Sequence, residues 1–433
     1  MTFPFQKDGS CGGAEHWSRR NLLKAAGLSG MSWLTPVADR LAMAADLGTH
    51  QRPKSVIILW LQGGASQLET FDPHPGKSIA YGGKAIPTAV KGIQFGEKLE
   101  QTAGLMNDFS LIRSVVSKEG DHARATYNIK TGHRLIPGLE HPSIGSIICH
   151  ELEDPGIDIP THISIIPANF AARGGFLGAQ YDAFQVGDPN SPVPDVSPRV
   201  SEERNAKRIE SLSILEQEFA RGRLANLDQV RTQHVTNLER AKRMMTSEQL
   251  DAFDVSKETK SERDAFGNTP FGRGCLAAVR LVSRGVRCVE VTLTGWDTHA
   301  NNLENQNRRI SDLDPALASL IKALKARDLY DDTIVLCATE FGRTPIQNQV
   351  EGRDHWPHGF SALIGGGGIA AGKVIGETDP AGEKKEPARP VDVEDVHATV
   401  HEALGIDYLY ELPTSINRPI PISDGSPVRE LLS

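Results

Sequence analysis

A short loop near the carboxyl end of the chain carries three side chains that can bind metals or transfer protons. Asp354, His355 and His358 lie close together in the segment GRDHWPHGFSALIGGGG. Imidazole and carboxylate groups clustered in this way are typical of metal sites. The alternative is that both histidines satisfy backbone groups beside Trp356.

Two apolar runs flank this loop and are predicted to position it. Thr333–Ala338 is short and rich in β-branched residues, which predicts a strand buried on both faces. Glu340 and Arg343 follow where that strand would end, and Phe360–Ile364 is a second apolar run closed by glycines. Ligands of open α/β sheets collect beyond the carboxyl ends of strands, so the whole segment is a candidate site.

Other chemically capable residues follow other predicted strands. Asp297 and His299 come directly after one apolar run, and His122 and Arg124 come shortly after another. If those strands are parallel neighbours, their carboxyl ends meet at one edge of a sheet. The sequence therefore predicts a mixed nitrogen and oxygen site, which suits Zn, Mn or Fe better than Ca.

Composition limits the class of protein. The chain has 433 residues, 39% of them hydrophobic, which is enough for one large α/β domain. A net charge of −8 offers no general basic field, so we do not expect a nucleic acid partner. The five cysteines show no CxxC spacing, and we expect no disulfide framework.

The amino-terminal segment is interpreted as an export signal. The segment Ser18–Lys24 contains the pair Arg19-Arg20 ahead of a mildly apolar stretch, and Ala42-Met43-Ala44 has the small residues of a cleavage site. This predicts a twin-arginine signal peptide over 1–44, a mature domain over 45–433, contact with the twin-arginine machinery and a periplasmic or otherwise exported location. The stretch is too interrupted for a membrane span. The alternative is an ordinary basic helix start.

Hydrophobic patterns predict alternating strands and helices along the rest of the chain. The predicted strands are Ser55–Leu61, Phe109–Val116, Thr161–Pro167, Val286–Leu293, Thr333–Ala338 and Phe360–Ile364. The predicted helices are Asp121–Lys130, Pro142–Glu151, Gly272–Arg284, Asp312–Arg327 and Asp392–Gly405. The charged stretch 201–253 is interpreted as an inserted helical hairpin, and the tail after Leu412 as loose.

Five motifs in this order resemble a known family. They are LQGGASQLETFDPHPG, GWDTHANN, ATEFGRTP, GRDHWPHGFSALIGGGGIAAG and VEDVHATVHEALGID. Together with the leader they resemble the bacterial domain-of-unknown-function 1501 family, which is placed in the alkaline phosphatase and sulfatase superfamily. The resemblance covers nearly all of the mature chain. It implies a three-layer α/β/α sandwich with a mostly parallel sheet and a site at the strand ends.

The resemblance also implies metal ligands, with departures. Asp297 and His299 resemble one ligand pair of the superfamily, and Glu340 stands where another pair begins. Phe341 occupies the position of that second pair's histidine. His355 or His358 resembles the late histidine that completes the set.

The nucleophile is a further departure. His122 stands at the place of the superfamily's Ser, Thr or Cys, and Gln62-Gly63 stands where the first strand of active relatives ends in Asp. Classical two-metal ester hydrolysis is therefore in doubt, whereas metal binding is not.

Two functions follow from these observations. In the first, the protein is an exported hydrolase of small-molecule phosphate or sulfate esters, with a divalent ion on Asp297, His299, Glu340 and His355 acting as Lewis acid. Water would be the nucleophile and His122 the proton-transfer group, and Arg343 or Arg124 would neutralise ester oxygens. In the second, the same fold binds a metal or an anion in the cell envelope without turnover.

Overall fold

The structure is a computed structural model, and it describes residues 54–168, 170–194, 196, 200–220, 241–414 and 416–433. The strands are β1 (Ser55–Gln62), β2 (Ala85–Pro87), β3 (Gln94–Gly96), β4 (Phe109–Val116), β5 (His162–Ile165), β6 (Phe184–Val186), β7 (Cys288–Thr294), β8 (Thr333–Ala338), β9 (Gly342–Arg343), β10 (His355–Trp356), β11 (Phe360–Gly366), β12 (Val374–Ile375), β13 (Val391–Asp392), β14 (Glu411–Leu412) and β15 (Ile420–Pro421). The α-helices are α1 (Glu100–Ala103), α2 (His122–Thr131), α3 (Ile144–Glu151), α4 (Glu202–Ala220), α5 (Lys260–Ala265), α6 (Pro270–Val282), α7 (Asn302–Ala326) and α8 (Val393–Leu404).

One large sheet organises these elements. Its strands follow the order β12-β4-β11-β8-β1-β7-β5-β6, with β13 beside β4. β1 pairs in parallel with both β7 and β8, and β5 continues in parallel from β7. β11 is antiparallel to its neighbours β8 and β4. The sheet is therefore mostly parallel, which confirms the predicted α/β fold class.

Helices cover both faces of the sheet because its central strands are apolar on both faces. Ile57 and Leu59 of β1 enter one core, which also contains side chains of α6 and α7. Val56 and Ile58 enter a second core, together with side chains of α3 and α8. Successive side chains of a strand point to opposite faces, so a continuous apolar run feeds two cores. The result is the expected three-layer α/β/α arrangement.

The ends of α8 show how local sequence sets an element's limits. Asp392 and Asp395 form a reciprocal capping box at the helix start, and Gly405 ends the helix with φ +77°. The carboxylates satisfy free N–H groups of the first turn, and glycine adopts the left-handed conformation without a Cβ clash. These signals are local, and the predicted helix is confirmed.

Two predictions about the periphery were wrong. α7 begins at Asn302, ten residues before the expected Asp312, and continues through Pro315. Its first turns are held by tertiary packing, since Gln306 and Ile310 are fully buried. The tail after Leu412 is also ordered, because Leu431 is fully buried in the second core.

Other predicted segments lie partly or wholly outside the described residues. Within 201–253 the structure shows α4, a helical segment over 241–246 and a 3-10 helix over Glu248–Phe253, whereas 221–240 lie outside. The predicted signal peptide 1–44 also lies outside the described residues. Within the part of the chain that is described, no helix combines the length and apolar character needed to cross a membrane.

Candidate metal centre

Three neighbouring strands deliver site residues to one edge of the sheet. β1 lies between the parallel strands β7 and β8, so the three strands end on the same side. Gly63 follows β1, Asp297 follows β7 and Glu340 follows β8. The loops are joined directly, because the Gly63 N–H donates to Glu340 Oε1 at 2.8 Å.

Asp297 is the centre of the cluster. Its Oδ1 lies 3.1 Å from His299 Nε2 and 3.4 Å from His355 Nε2. The same oxygen accepts a hydrogen bond of 2.6 Å from Arg343 Nη2, and Oδ2 lies 3.3 Å from His122 Nε2. Among the described residues, His122, Asp297 and His355 form a group whose ligand atoms all lie within 4.8 Å of one another. The structure thus brings together residues that the sequence places far apart.

Hydrogen bonds fix the tautomers of two histidines. His355 Nδ1 lies 2.8 Å from Gly120 O, and His299 Nδ1 lies 2.8 Å from Asp354 Oδ1. Both partners can only accept, so each Nδ1 carries the hydrogen and each neutral ring has an unprotonated Nε2. Burial and the nearby positive charge of Arg343 outweigh the Gly120 contact and lower the pKa of His355, which favours its neutral form.

These lone pairs converge where a cation fits. His299 Nε2 and His355 Nε2 are only 3.0 Å apart. Burial disfavours the Asp297 carboxylate, but the hydrogen bond and charge of Arg343 outweigh that effect, so the pKa of Asp297 is lowered. Metal bonds of about 2.0–2.2 Å hold neighbouring ligand atoms roughly 2.9–3.4 Å apart. The spacing of these two nitrogens and Asp297 Oδ1 therefore matches a divalent transition-metal site.

His122 has a different environment from the other two histidines. Its Nδ1 lies 3.0 Å from Glu340 Oε1 and its Nε2 faces Asp297. The hydrogen bond with Glu340 raises the pKa of His122, against the opposing effect of burial. His122 is also the first residue of α2, whose N-cap is Asp121. It therefore lies between two carboxylates at the edge of the candidate metal centre.

Glu340 connects His122 to the loop after β1. Its side chain is fully buried, and its Oε1 contacts both the Gly63 N–H and His122. The Thr339 Oγ1 lies 3.3 Å from its other oxygen, but the hydroxyl hydrogen is donated to Leu61 O at 2.8 Å. Glu340 was predicted as a metal ligand, and in the structure its carboxylate contacts His122 and the Gly63 N–H.

Arg343 also differs from its expected role as a clamp for ester oxygens. Its side chain has no exposed surface. The guanidinium donates to the carbonyls of Gly63, Gly64 and Arg353 and to Asp297. A buried cation with its donors used in this way cannot grip a ligand bidentately. Arg343 instead fixes the position and charge of Asp297.

The remaining candidates lie at different distances from the centre. Asp354 does not reach the three lone pairs and acts as the outer partner of His299. His358 packs edge-on against Trp356, and no hydrogen bond joins it to the cluster. Arg124 is mostly exposed and pairs with acidic neighbours on its own segment. His358 was predicted as a ligand but lies outside this cluster, whereas His355 lies within it.

Sequence reasoning missed two supporting groups. Phe341 was noted only as a missing ligand, but its buried ring stacks on His355 with centroids 4.3 Å apart and lies 5.0 Å from the His122 ring. The Gly120 carbonyl sets the tautomer of His355. A backbone carbonyl has no sequence signature, whereas a phenylalanine directly after Glu340 was a visible signal for an apolar wall.

Comparisons with known proteins place the chain in a wider context. A family profile described as "Protein of unknown function (DUF1501)" matches residues 53–432. No curated protein matches the sequence. The crystal structure of Ps i-CgsB is similar, with a TM-score of 0.41 and 11% identity, covering 82% of this chain and 73% of that one. The PsFucS1 sulfatase from Pseudoalteromonas sp. is also similar, with a TM-score of 0.38 and 12% identity, covering 86% of this chain and 71% of that one. A mutant of TAB5 alkaline phosphatase with Mg bound has a TM-score of 0.38 and 14% identity, and the match covers 83% of this chain and 100% of that one.

The close approach at Gly63 gives a testable prediction. Gly63 has φ +119°, and a Cβ there would lie 2.5 Å from Asp297 N and 2.9 Å from atoms of Trp296. Gly63→Ala should therefore lower the free energy of unfolding by about 2–4 kcal/mol, through backbone strain and overpacking. Urea unfolding measures this change.

Gly82 provides the matched control. Its φ is +86°, and a Cβ there would have nothing within 4 Å. Gly82→Ala should show backbone strain alone, about 1–2 kcal/mol. Equal losses in the two variants would contradict the close packing of the Gly63 turn against the Asp297 loop.

Proposed function

The chain belongs to the DUF1501 family, and we propose that it is an exported, metal-dependent hydrolase of phosphate or sulfate esters. The observation that carries the proposal is the convergence of Asp297 Oδ1, His299 Nε2 and His355 Nε2 at separations of 3.0–3.4 Å. Two lone-pair nitrogens and a carboxylate oxygen repel one another unless a cation lies between them.

These ligand types limit the ion. Imidazole nitrogen with a single carboxylate favours Zn, Mn or Fe over Ca, which prefers six or more oxygen ligands. The partners of the histidines, Asp354 and the Gly120 carbonyl, orient the rings as outer hydrogen bonds do in metal sites. A bound divalent ion would supply Lewis acidity at the ester oxygen.

The protein's own side chains would orient the reacting groups and transfer the proton. The hydrogen bond with Glu340 raises the pKa of His122 and so favours a proton on its ring, and its Nε2 faces the ligand set. That proton can be given to the departing alkoxide oxygen of an ester. Thr339 is not placed as a nucleophile, because its hydroxyl is buried and donates to Leu61 O. Water is therefore the proposed attacking group.

One observation favours a second candidate function, a metal- or anion-binding protein of the envelope without turnover. The buried guanidinium of Arg343 is committed to Asp297 and to backbone carbonyls, so it offers no clamp to an ester. A site without this clamp can hold an ion and still be a poor catalyst.

Metal content is the first test. Purified protein should contain about one equivalent of a divalent transition metal, and Asp297→Ala should abolish stoichiometric binding. Asp354→Ala should weaken affinity about 10–100-fold, because it removes only the partner that orients His299. Elemental analysis and competition with a chelating dye measure both quantities.

His358→Ala is the matched control for these variants, because His358 is close in sequence to His355 but outside the cluster. Its metal content should equal that of the wild type. Absence of stoichiometric metal from the wild type, with none taken up on titration, would refute the metal centre.

His122 distinguishes the two candidate functions. With aryl phosphate and sulfate esters as substrates, His122→Ala should lower kcat about 10²- to 10⁴-fold and leave metal content unchanged. The basic limb of the pH–rate profile should change as well, because a general acid is lost as pH rises through its pKa, which a purely structural role would not cause. His150→Ala is a control, because His150 pairs with Glu151 on the surface away from the cluster.

The outcomes separate three roles for His122. Joint loss of metal and thermal stability would make it a ligand. Equal and low turnover by wild type and variant, with metal retained, would favour the binding protein over the hydrolase.

The exported location is part of the proposal and is supported by the Arg19-Arg20 pair. The double variant Arg19→Lys, Arg20→Lys should leave uncleaved precursor in the cytoplasm, because the twin-arginine pathway recognises the pair. Immunoblots of fractionated cells measure the location of precursor and mature protein. Arg40→Lys is the control, because it makes the same substitution at an arginine outside the pair. Normal amounts of mature protein outside the cytoplasm in the double variant would contradict export by this route.

A further inference from the structure

A buried glutamine near the start of α7 contacts two of the loops that form the metal centre. Gln306 has no exposed surface, and it lies in the part of α7 that precedes the predicted helix start. Burying an amide is costly unless its donors and its acceptor find partners inside the protein. The partners of this side chain therefore show what its burial achieves.

The amide of Gln306 joins the loop after β1 to the loop after β7. Its Oε1 accepts a hydrogen bond of 3.1 Å from the Ser66 N–H. Its Nε2 donates to Trp296 O at 3.1 Å and to Thr298 Oγ1 at 3.0 Å. The Ser66 N–H can only donate and the Trp296 carbonyl can only accept, so these two contacts determine the orientation of the amide. Both N–H groups and the oxygen of the amide are thus used within the protein.

The partners of the amide lie on either side of a metal ligand. Trp296 and Thr298 are the chain neighbours of Asp297, and Thr298 also separates Asp297 from His299. The Thr298 hydroxyl accepts from the glutamine and donates its own hydrogen to Asn302 Oδ1 at 2.6 Å. Thr298 is therefore held from two directions, and the ligands before and after it share that restraint.

Arg343 and Gln306 restrain Asp297 in different ways. The Arg343 guanidinium donates to Asp297 Oδ1 and so fixes the carboxylate group. The hydrogen bonds of Gln306 go to the chain on either side of Asp297. A functional site requires its groups to stay within about 0.5 Å of the productive geometry. Fixing the carboxylate alone does not meet this requirement, because His299 is carried by the same loop.

We propose that Gln306 is a positioning residue of the metal centre, which raises the affinity for the ion by holding Asp297 and His299 at the spacing that the ion requires. This inference rests on the proposed metal-binding function. Loss of the amide would leave Asp297 Oδ1 bonded to Arg343 and would release the chain between the two ligands. The separation of 3.1 Å between Asp297 Oδ1 and His299 Nε2 would then vary, and the binding of the ion would weaken.

Gln306→Met tests this role, because methionine has a similar length and volume and no amide. The Zn²⁺ affinity of the full chain is measured by competition with a chelating dye, at a temperature well below the melting temperature of each variant. Gln306→Met should weaken Zn²⁺ binding about 10–100-fold, as the loss of an outer partner does in metal sites.

Thr298→Val is a milder second variant, which keeps the shape of the side chain and removes only the hydroxyl. It should weaken Zn²⁺ binding roughly two- to tenfold. The two changes remove a shared contact, so the loss of affinity in the double variant should be smaller than the product of the two single losses. If Gln306→Met does not fold, Thr298→Val decides the test alone.

Asp314→Ala is the matched control on the same helix. Asp314 is also buried in α7, but its carboxylate accepts from the N–H groups of Gln101 and Thr102 in α1. This variant should lower the melting temperature and keep the wild-type Zn²⁺ affinity. The proposal is overturned if Gln306→Met and Thr298→Val bind Zn²⁺ as the wild type does, or if Asp314→Ala weakens binding as much as Gln306→Met. A wild type that binds no Zn²⁺ would instead refute the metal centre, and this inference with it.

Discussion

The contact between Arg343 and Asp297 is the constraint on which the site depends. A guanidinium with no exposed surface needs partners within the protein, and the carbonyls of Gly63, Gly64 and Arg353 together with Asp297 accept hydrogen bonds from it. One side chain thereby joins the loops after β1, β7 and β8 to the strand pair β9–β10. Nitrogen atoms of His122, His299 and His355 all lie within 3.4 Å of the carboxylate that it positions. The position of the carboxylate at the centre of the cluster thus follows from satisfying one buried cation.

Much of this could be predicted because the deciding signals are local. Short, wholly apolar runs such as Ser55–Gln62 indicate strands buried on both faces, and their alternation with helices indicates a parallel sheet. Once strands are parallel, residues that follow them share an edge. Asp297, His299 and His355 could therefore be named before their distances were known.

The rest could not be predicted because it depends on pairing between distant residues. His355 and His358 are equally good ligands in sequence, but only His355 lies in β10, in register with Arg343 of β9. Glu340 differs in the same way, since its carboxylate is turned inward by the Gly63 N–H. The sequence contains the functional groups, whereas their directions arise from backbone contacts between loops.

The central place of β1 has a consequence for how the protein is made. β1 is the first strand of the described chain, but both of its sheet neighbours, β7 and β8, belong to the last part of the sequence, with Val56 beside Cys288 and Ile334. During synthesis β1 cannot pair along either edge until most of the polypeptide has left the ribosome. Such long-range closure is slow and leaves apolar strand edges uncovered in the meantime. The nascent chain is thus exposed to aggregation until translation is nearly complete, and the stretch before β8 is where a holding chaperone would be most useful.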